Sequence, residues 1–381
     1  MTGVKRDGRT SEGFLRALQN TEDPSIVDAE LLLLLQDLAS PTEDPISLSP
    51  AGLCHLLQLL VERTNDAWLE VRKKIAFVFA DVVSKGHGDV LADALIYGKL
   101  RQTTRGEARA SHIDLVDTAD DNSDSAMALR QLKYFIGKLA SAHGTVERCV
   151  PAADVFRTFT RVPSLLEIIL SPAELLSDTT EGKTSAQPDP KHGRFHESCV
   201  GILCRSVASY TTVFCTETWR SLTTALYTNK GLSASLLLHY FKDFVAMLTD
   251  CLLGRNFVAR LHALELLAAV LEDSAFLKAR RKFAESPALL CALLPLTNSP
   301  SAHIRFLAFD TLKVFIAKGN KPAPIRYILC VNRDMLARYV EDYSTKEVAI
   351  NKRLEIEKQK LLQSLTALEP LTHEEELLLG V

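Results

Sequence analysis

Apolar residues recur every three and four positions along most of this chain, and the strict alternation that a half-buried strand requires is nearly absent. The sequence therefore predicts helices of about 10 to 20 residues and little else. In the stretch 71–83, Val71, Ile75, Phe79 and Val82 or Val83 share one helical face, with Arg72, Lys73, Lys74 and Asp81 mainly away from it. A stripe of this kind needs a neighbouring helix to cover it. The pattern returns at 53–61, 132–139, 165–170, 200–207, 219–226, 236–248, 261–271, 289–296 and 304–316.

In the C-terminal half the amphipathic units follow one another at roughly 40 residues, the spacing of armadillo or HEAT repeats, where each unit covers the apolar face of the next. At 381 residues the chain is long for one ordinary core, and no composition break divides it. The expected fold is an all-α, armadillo/HEAT-like right-handed helical-repeat solenoid shaped as a curved rod. Its expected organisation is a polar N-terminal segment at 1–29, a scaffold domain at 30–368, and an acidic C-terminal tail at 369–381. Two polar insertions interrupt the scaffold, at 101–126 and 171–196. The first carries an acidic run from Asp114 to Asp124 and the second is dense in turn formers after Ser171-Pro172. The tail, with Glu374, Glu375 and Glu376 before Leu377, reads as a frayed acidic end.

A net charge of −3 and a pI near 6.4 do not suit a polyanion as the default partner, so no nucleic acid is expected. The basic residues Arg280, Arg281 and Lys282 form only a short cluster, which reads as a solvated helix end. The eight cysteines show no CxxC pair, and most lie in apolar periodic stretches, which fits reduced core residues of an intracellular protein. The N-terminal twelve residues lack a secretory apolar run, and the longest apolar run, Leu31 to Leu35, is far too short to span a bilayer. No membrane insertion is expected, and the location follows as cytoplasmic.

Catalytic, cofactor and metal signatures fail one by one, so neither an enzyme nor a cofactor nor a metal site is expected. Gly182-Lys183-Thr184 ends like a phosphate-binding loop, but Ser177 stands where the motif needs glycine. Asp120, Asn122 and Asp124 open like a calcium loop, yet Ser125 replaces the glycine and Gln131 the bidentate glutamate. His87 between two glycines reads as a turn residue beside a lone Asp89. Cys199 and Cys204, near His192 and His196, do not have zinc-knuckle spacing, and Cys204 lies inside an apolar pattern.

More specific information lies in two runs of the second half. Asn256-Phe257-Val258-Ala259-Arg260-Leu261-His262-Ala263-Leu264-Glu265-Leu266-Leu267 resembles the Asn-Tyr-Val-x-Lys/Arg-x-x-Ser-Leu-Lys-Leu-Leu helix of the calcium-binding-protein-39 family. About 40 residues later, Ile304 to Ala317, followed by Asn320, Lys321, Ile325, Ile328 and Asn332, is similar to that family's Ile-Gln-Phe-Glu-Ala-Phe segment. The likeness extends through Cys199 to Arg205 and Glu70 to Phe79, and covers 30–368, most strongly from 219 onward.

The resemblance implies a monomeric, non-catalytic scaffold that binds and allosterically activates a protein kinase or pseudokinase. Its named partners are of the germinal-centre type or of the liver-kinase-B and STRAD kind. On this reading a concave face holds the partner's active conformer, which calls for binding energy and no chemistry. The kinase-facing positions fall on Phe257, Leu261 and Glu265. A separate pocket for an aromatic-containing C-terminal peptide falls on Phe276, Leu290, Leu294 and Val331. The family's basic residues are replaced at Leu261, Glu265 and Val331, which removes positive charge from both surfaces. Plain packing also explains Phe276, Leu290 and Leu294. The alternative reading is a structural adaptor of a cytoskeletal or other large assembly, with the rod kept and no kinase activation.

Overall fold

A computed structural model describes residues 23–38, 56–57, 59–61, 63–64, 66–97, 122–143, 148–171, 195–209, 212–317, 319–343 and 352–380. Among the described residues every regular element is helical. Most of both expected insertions, and with them the phosphate-loop look-alike, lie outside the described residues, as do Asp120, Cys54 and His192, whereas Asn122, Asp124, Ser125 and Gln131 of the calcium-loop look-alike are helical. Two of the expected boundaries move. Helix α1 (Pro24–Leu38) begins inside the expected N-terminal segment, and α4 (Asn122–Ala142) takes in the last residues of the first expected insertion.

The chain divides into two compact units, residues 1–206 with 217–229, and 207–216 with 230–381. In the first, α1 packs on α2 (Leu69–Ser84), α2 on α3 (Gly88–Tyr97) and on α5 (Cys149–Thr160), and α4 on both α3 and α5. Val71, Ile75 and Phe79 of α2 are fully buried, as their spacing predicts. Arg72, expected outward, is buried as well, because α2 is covered by neighbours on more than one side. The Phe79 and Phe159 rings meet edge to face at 5.3 Å. Pro163 opens α6 (Pro163–Leu170), where a missing N–H leaves no helical bond unmade. Most of α7 (Cys199–Ser209) and of α8 (Thr212–Thr228) completes the unit.

The second unit shows the repeat directly. It holds α9 (Lys230–His239), α10 (Phe241–Leu253), α11 (Phe257–Glu272), α12 (Leu277–Phe283), α13 (Pro287–Leu293), α14 (Ala302–Ala317), α15 (Ala323–Val331), α16 (Arg333–Asp342), α17 (Lys352–Thr366) and α18 (His373–Leu379). Every third helix stacks on the third helix of the next group, α11 on α14 and α14 on α17. These three helices start at 257, 302 and 352, spacings of 45 and 50 residues, near the armadillo and HEAT period. Ile304, Ala308, Thr311, Leu312 and Phe315 form the buried face of α14 that the sequence predicts, with Leu307 half-buried at its edge. Phe309 of α14 stacks on Tyr343, just after α16, with ring centroids 3.9 Å apart.

The acidic end differs from the frayed tail expected. Thr372 accepts from the Glu375 amide at 3.3 Å and the Glu375 carboxylate accepts from the Thr372 amide at 2.9 Å, a capping box that starts α18. Gly380, with φ of +70°, ends it in the left-handed conformation that glycine adopts without strain.

Candidate functional site

Helix α11 is apolar nearly all round because it is sandwiched between α10 and α14. Ala259, Ala263, Leu264, Leu266, Leu267, Val270 and Leu271 are buried. Among the residues of α11 that stay at least partly accessible, Phe257, Leu261 and Glu265 stand at successive four-residue steps, which a helix aligns as a strip on one face. Phe257 is 49% exposed, an uncommon placement for a large aromatic ring at the first position of a helix. Asn256 fixes that end of the helix: its side-chain oxygen accepts from the amides of Val258 at 3.0 Å and Ala259 at 3.3 Å.

The Glu265 carboxylate is held from two sides. His262 Nδ1, one turn back on α11, lies 2.8 Å from Oε2, and His303 Nε2, near the start of α14, lies 3.6 Å from Oε1. The i,i+3 pair was legible in the sequence; the contribution of His303 needed the stacking of α11 on α14. The strip therefore presents an aromatic ring, an aliphatic side chain and an oriented acid. On α14, Phe306 is 43% exposed and adds a second accessible ring that sequence reasoning did not single out.

The four residues assigned to a peptide pocket separate into two kinds. Phe276, in the 3-10 turn Ser274–Phe276, and Leu290 of α13 are fully buried. Leu294, at the start of the 3-10 segment Leu294–Asn298, is half-buried, and Val331 at the end of α15 is 66% exposed. α13 packs on α15. Leu294 and Val331 are thus the two of the four that solvent reaches, whereas Phe276 and Leu290 are core residues.

The cysteines tested as zinc ligands are core residues. Cys199 and Cys204 are both buried, and burial pushes the Cys199 thiol up to about 12, far from the thiolate a metal requires. Burial likewise raises Cys149 to about 11 and Cys251 to about 12. Cys291 is exposed and Cys330 half-buried, contrary to the core placement their apolar neighbours suggested, because each sits on the outer side of its helix.

A polar cluster inside the first unit carried no sequence signal. Buried His143 places Nδ1 2.8 Å from the Leu139 carbonyl and Nε2 2.9 Å from Ser221 Oγ. A carbonyl only accepts, so Nδ1 carries the proton and the serine hydroxyl donates to Nε2. Arg157 in turn donates to Ser221 Oγ at 3.3 Å, to Glu217 at 2.8 Å and to Asp154 at 2.6 Å. Histidine and serine are both fully buried, so no substrate atom can reach the pair, and the cluster serves packing.

A family model described as Mo25-like matches residues 47–369. A degreening-related gene dee76 protein of Auxenochlorella protothecoides is 33% identical over 115 residues, 30% of this chain and 36% of that protein. A putative MO25-like protein of Arabidopsis thaliana is 32% identical over 103 residues, 27% of this chain and 29% of that protein. A human calcium-binding protein 39-like protein is 27% identical over 125 residues, 33% of this chain and 36% of that protein. The matched stretches thus span about a third of each relative. Among solved structures, an engineered protein superposes over 83% of this chain and 99% of its own at a TM-score of 0.42 and 13% identity, too low to bear on the fold. The family match extends over most of the sequence and includes both motif helices, α11 and α14: the chain belongs to the Mo25-like family.

Proposed function

We propose that this chain is a non-catalytic scaffold that binds a protein kinase or pseudokinase through the open strip of α11 and stabilises its active conformer. The observation that carries the reading is the strip itself. Phe257 is exposed and Leu261 and Glu265 are half-buried at one-turn spacing on α11, and these are the positions that the calcium-binding-protein-39 resemblance assigns to the partner. An exposed aromatic ring anchored on a rigid, capped helix is a typical centre of binding energy. A scaffold that favours one conformer of a two-state enzyme raises its activity in proportion to the differential affinity.

A peptide contact at Leu294 and Val331, the two accessible residues of the assigned pocket, belongs to the same proposal. Affinity purification at low salt, followed by a kinase assay on what co-purifies, tests it. The expected result is a kinase or pseudokinase whose capture falls about tenfold or more in Phe257→Ala. Recovery of no kinase, or of one whose activity the scaffold leaves unchanged, refutes activation.

One observation favours a second reading. Glu265, held by His262 and His303, puts an acid where the family carries a base, so the strip selects a partner surface without the usual acidic counterpart. A structural adaptor with the same helical repeat and a different partner fits that charge. Proximity labelling that returned cytoskeletal proteins and no kinase would favour it.

A further inference from the structure

The last turns of the chain fold back onto α15 through a set of polar contacts. Arg326, Cys330 and Arg333 stand at i, i+4 and i+7, one stripe running from α15 into the first residue of α16, and each meets the C-terminal segment. The Arg326 guanidinium pairs with the Glu375 carboxylate. The Cys330 thiol donates to the Glu369 carbonyl at 3.7 Å, and Arg333 donates to the Leu368 carbonyl at 2.7 Å and lies 3.6 Å from the Cys330 sulfur. The same Glu375 carboxylate completes the capping box of α18, so folding of the short helix and its docking use one side chain. Its carboxyl is held below the usual range, first by the Thr372 amide and then by Arg326.

Apolar burial stops short of this helix. Leu361, Leu365 and Leu368 fasten α17 and the turn after it, whereas no residue of α18 is buried. Leu377 is 68% and Leu378 86% exposed. A part-buried ion pair and a cap, with no buried residue of α18 beside them, hold such an element weakly, and salt screens the charge. The stripe beneath is cationic in a chain of net charge −3, and an acidic segment covers it.

We propose that the Arg326–Cys330–Arg333 stripe is a docking surface for an acidic, capped helical segment, and that residues 369–379 of this chain are its resident occupant, a releasable cover that shields the stripe from acidic peptides of other proteins. Val331, beside the stripe on α15, is the more exposed of the two accessible residues of the peptide surface proposed above, so release of the tail exposes cationic side chains next to it. The inference rests on the scaffold reading only for the identity of an incoming chain. The cover itself is tested with no kinase present, so the two ideas fail separately.

The test uses the full chain and a labelled synthetic peptide with the sequence of residues 367–380. Glu375→Ala frees the tail and leaves Arg326 in place, so it binds the peptide about fivefold more tightly than the wild type does. Arg326→Glu keeps the capping box but removes the stripe's first cation, so its α18 amides exchange faster than those of the wild type and the peptide no longer binds. Combining Arg326→Glu with Glu375→Arg restores part of the amide protection in α18. Equal peptide affinity in the wild type and Glu375→Ala overturns the proposal. Undiminished binding to Arg326→Glu, or exchange of α18 that ignores position 326, does the same.

Discussion

Single residues show where this chain stores polar specificity. His143 is fully buried, and its pKa is lowered from the ordinary 6.5 to about 4, first by burial and further by the nearby Arg157. Because its Nδ1–H is given to Leu139, its Nε2 depends on the hydroxyl of Ser221. Ser221→Ala leaves that buried nitrogen without its donor and is expected to cost about 1–3 kcal/mol, read as a lowered urea midpoint with an unchanged slope. None of this was legible beforehand. Ser221 is 78 positions from His143 in sequence, and neither a lone histidine after an apolar stretch nor a serine inside one announces its partner. The open strip was different: Phe257, Leu261 and Glu265 were named from a motif, and their spacing alone puts them on one helical face.

At the scale of elements, periodicity served well where burial has one face and less well where it has several. The stripes of α2 and α14 were readable because β-type alternation never competed with the 3.6-residue period. Buried Arg72 was not, because covering α2 from more than one side depends on long-range stacking that no local pattern encodes. The acidic tail failed for another reason. Composition there favours disorder, but Thr372 and Glu375 already formed the Ser/Thr-x-x-Glu signature of a capped start, and only the ion pair with Arg326, 49 positions away, required the fold. Helix α7 shows how closely elements meet. A Cβ built on Gly201 would lie 1.7 Å from the Phe195 carbonyl oxygen, and Ser198 Oγ bridges the same site, donating to that carbonyl at 2.7 Å and accepting from the Gly201 amide at 3.0 Å. Gly201→Ala must push the turn Phe195–Glu197 off the helix and break the bridge. The expected loss is about 1–3 kcal/mol, with faster amide exchange confined to the turn and the first turn of α7.

At the scale of the whole molecule, the two compact units give an acid response that depends on the probe. Both tryptophans, exposed Trp68 and buried Trp219, belong to the first unit, whereas helices of both units contribute to far-UV circular dichroism. The first unit also holds His143, whose pKa is lower folded than unfolded. Below 6.5 the unfolded chain takes up a proton that the folded unit refuses, so the stability this neutral histidine contributes is fully present above pH 6.5 and is lost as pH falls toward about 4. A shift of that size is worth on the order of 3 kcal/mol. Urea unfolding followed by tryptophan fluorescence is therefore expected to lose midpoint steeply between pH 7 and pH 4.5, while the circular-dichroism transition broadens as helices of the second unit persist. Replacing His143 by Gln, which cannot take up the proton, should remove most of the difference between the two probes. If fluorescence and circular dichroism instead stay superimposed at both pH values in the wild type, the two units unfold as one cooperative block, and the cost of protonating His143 falls on both.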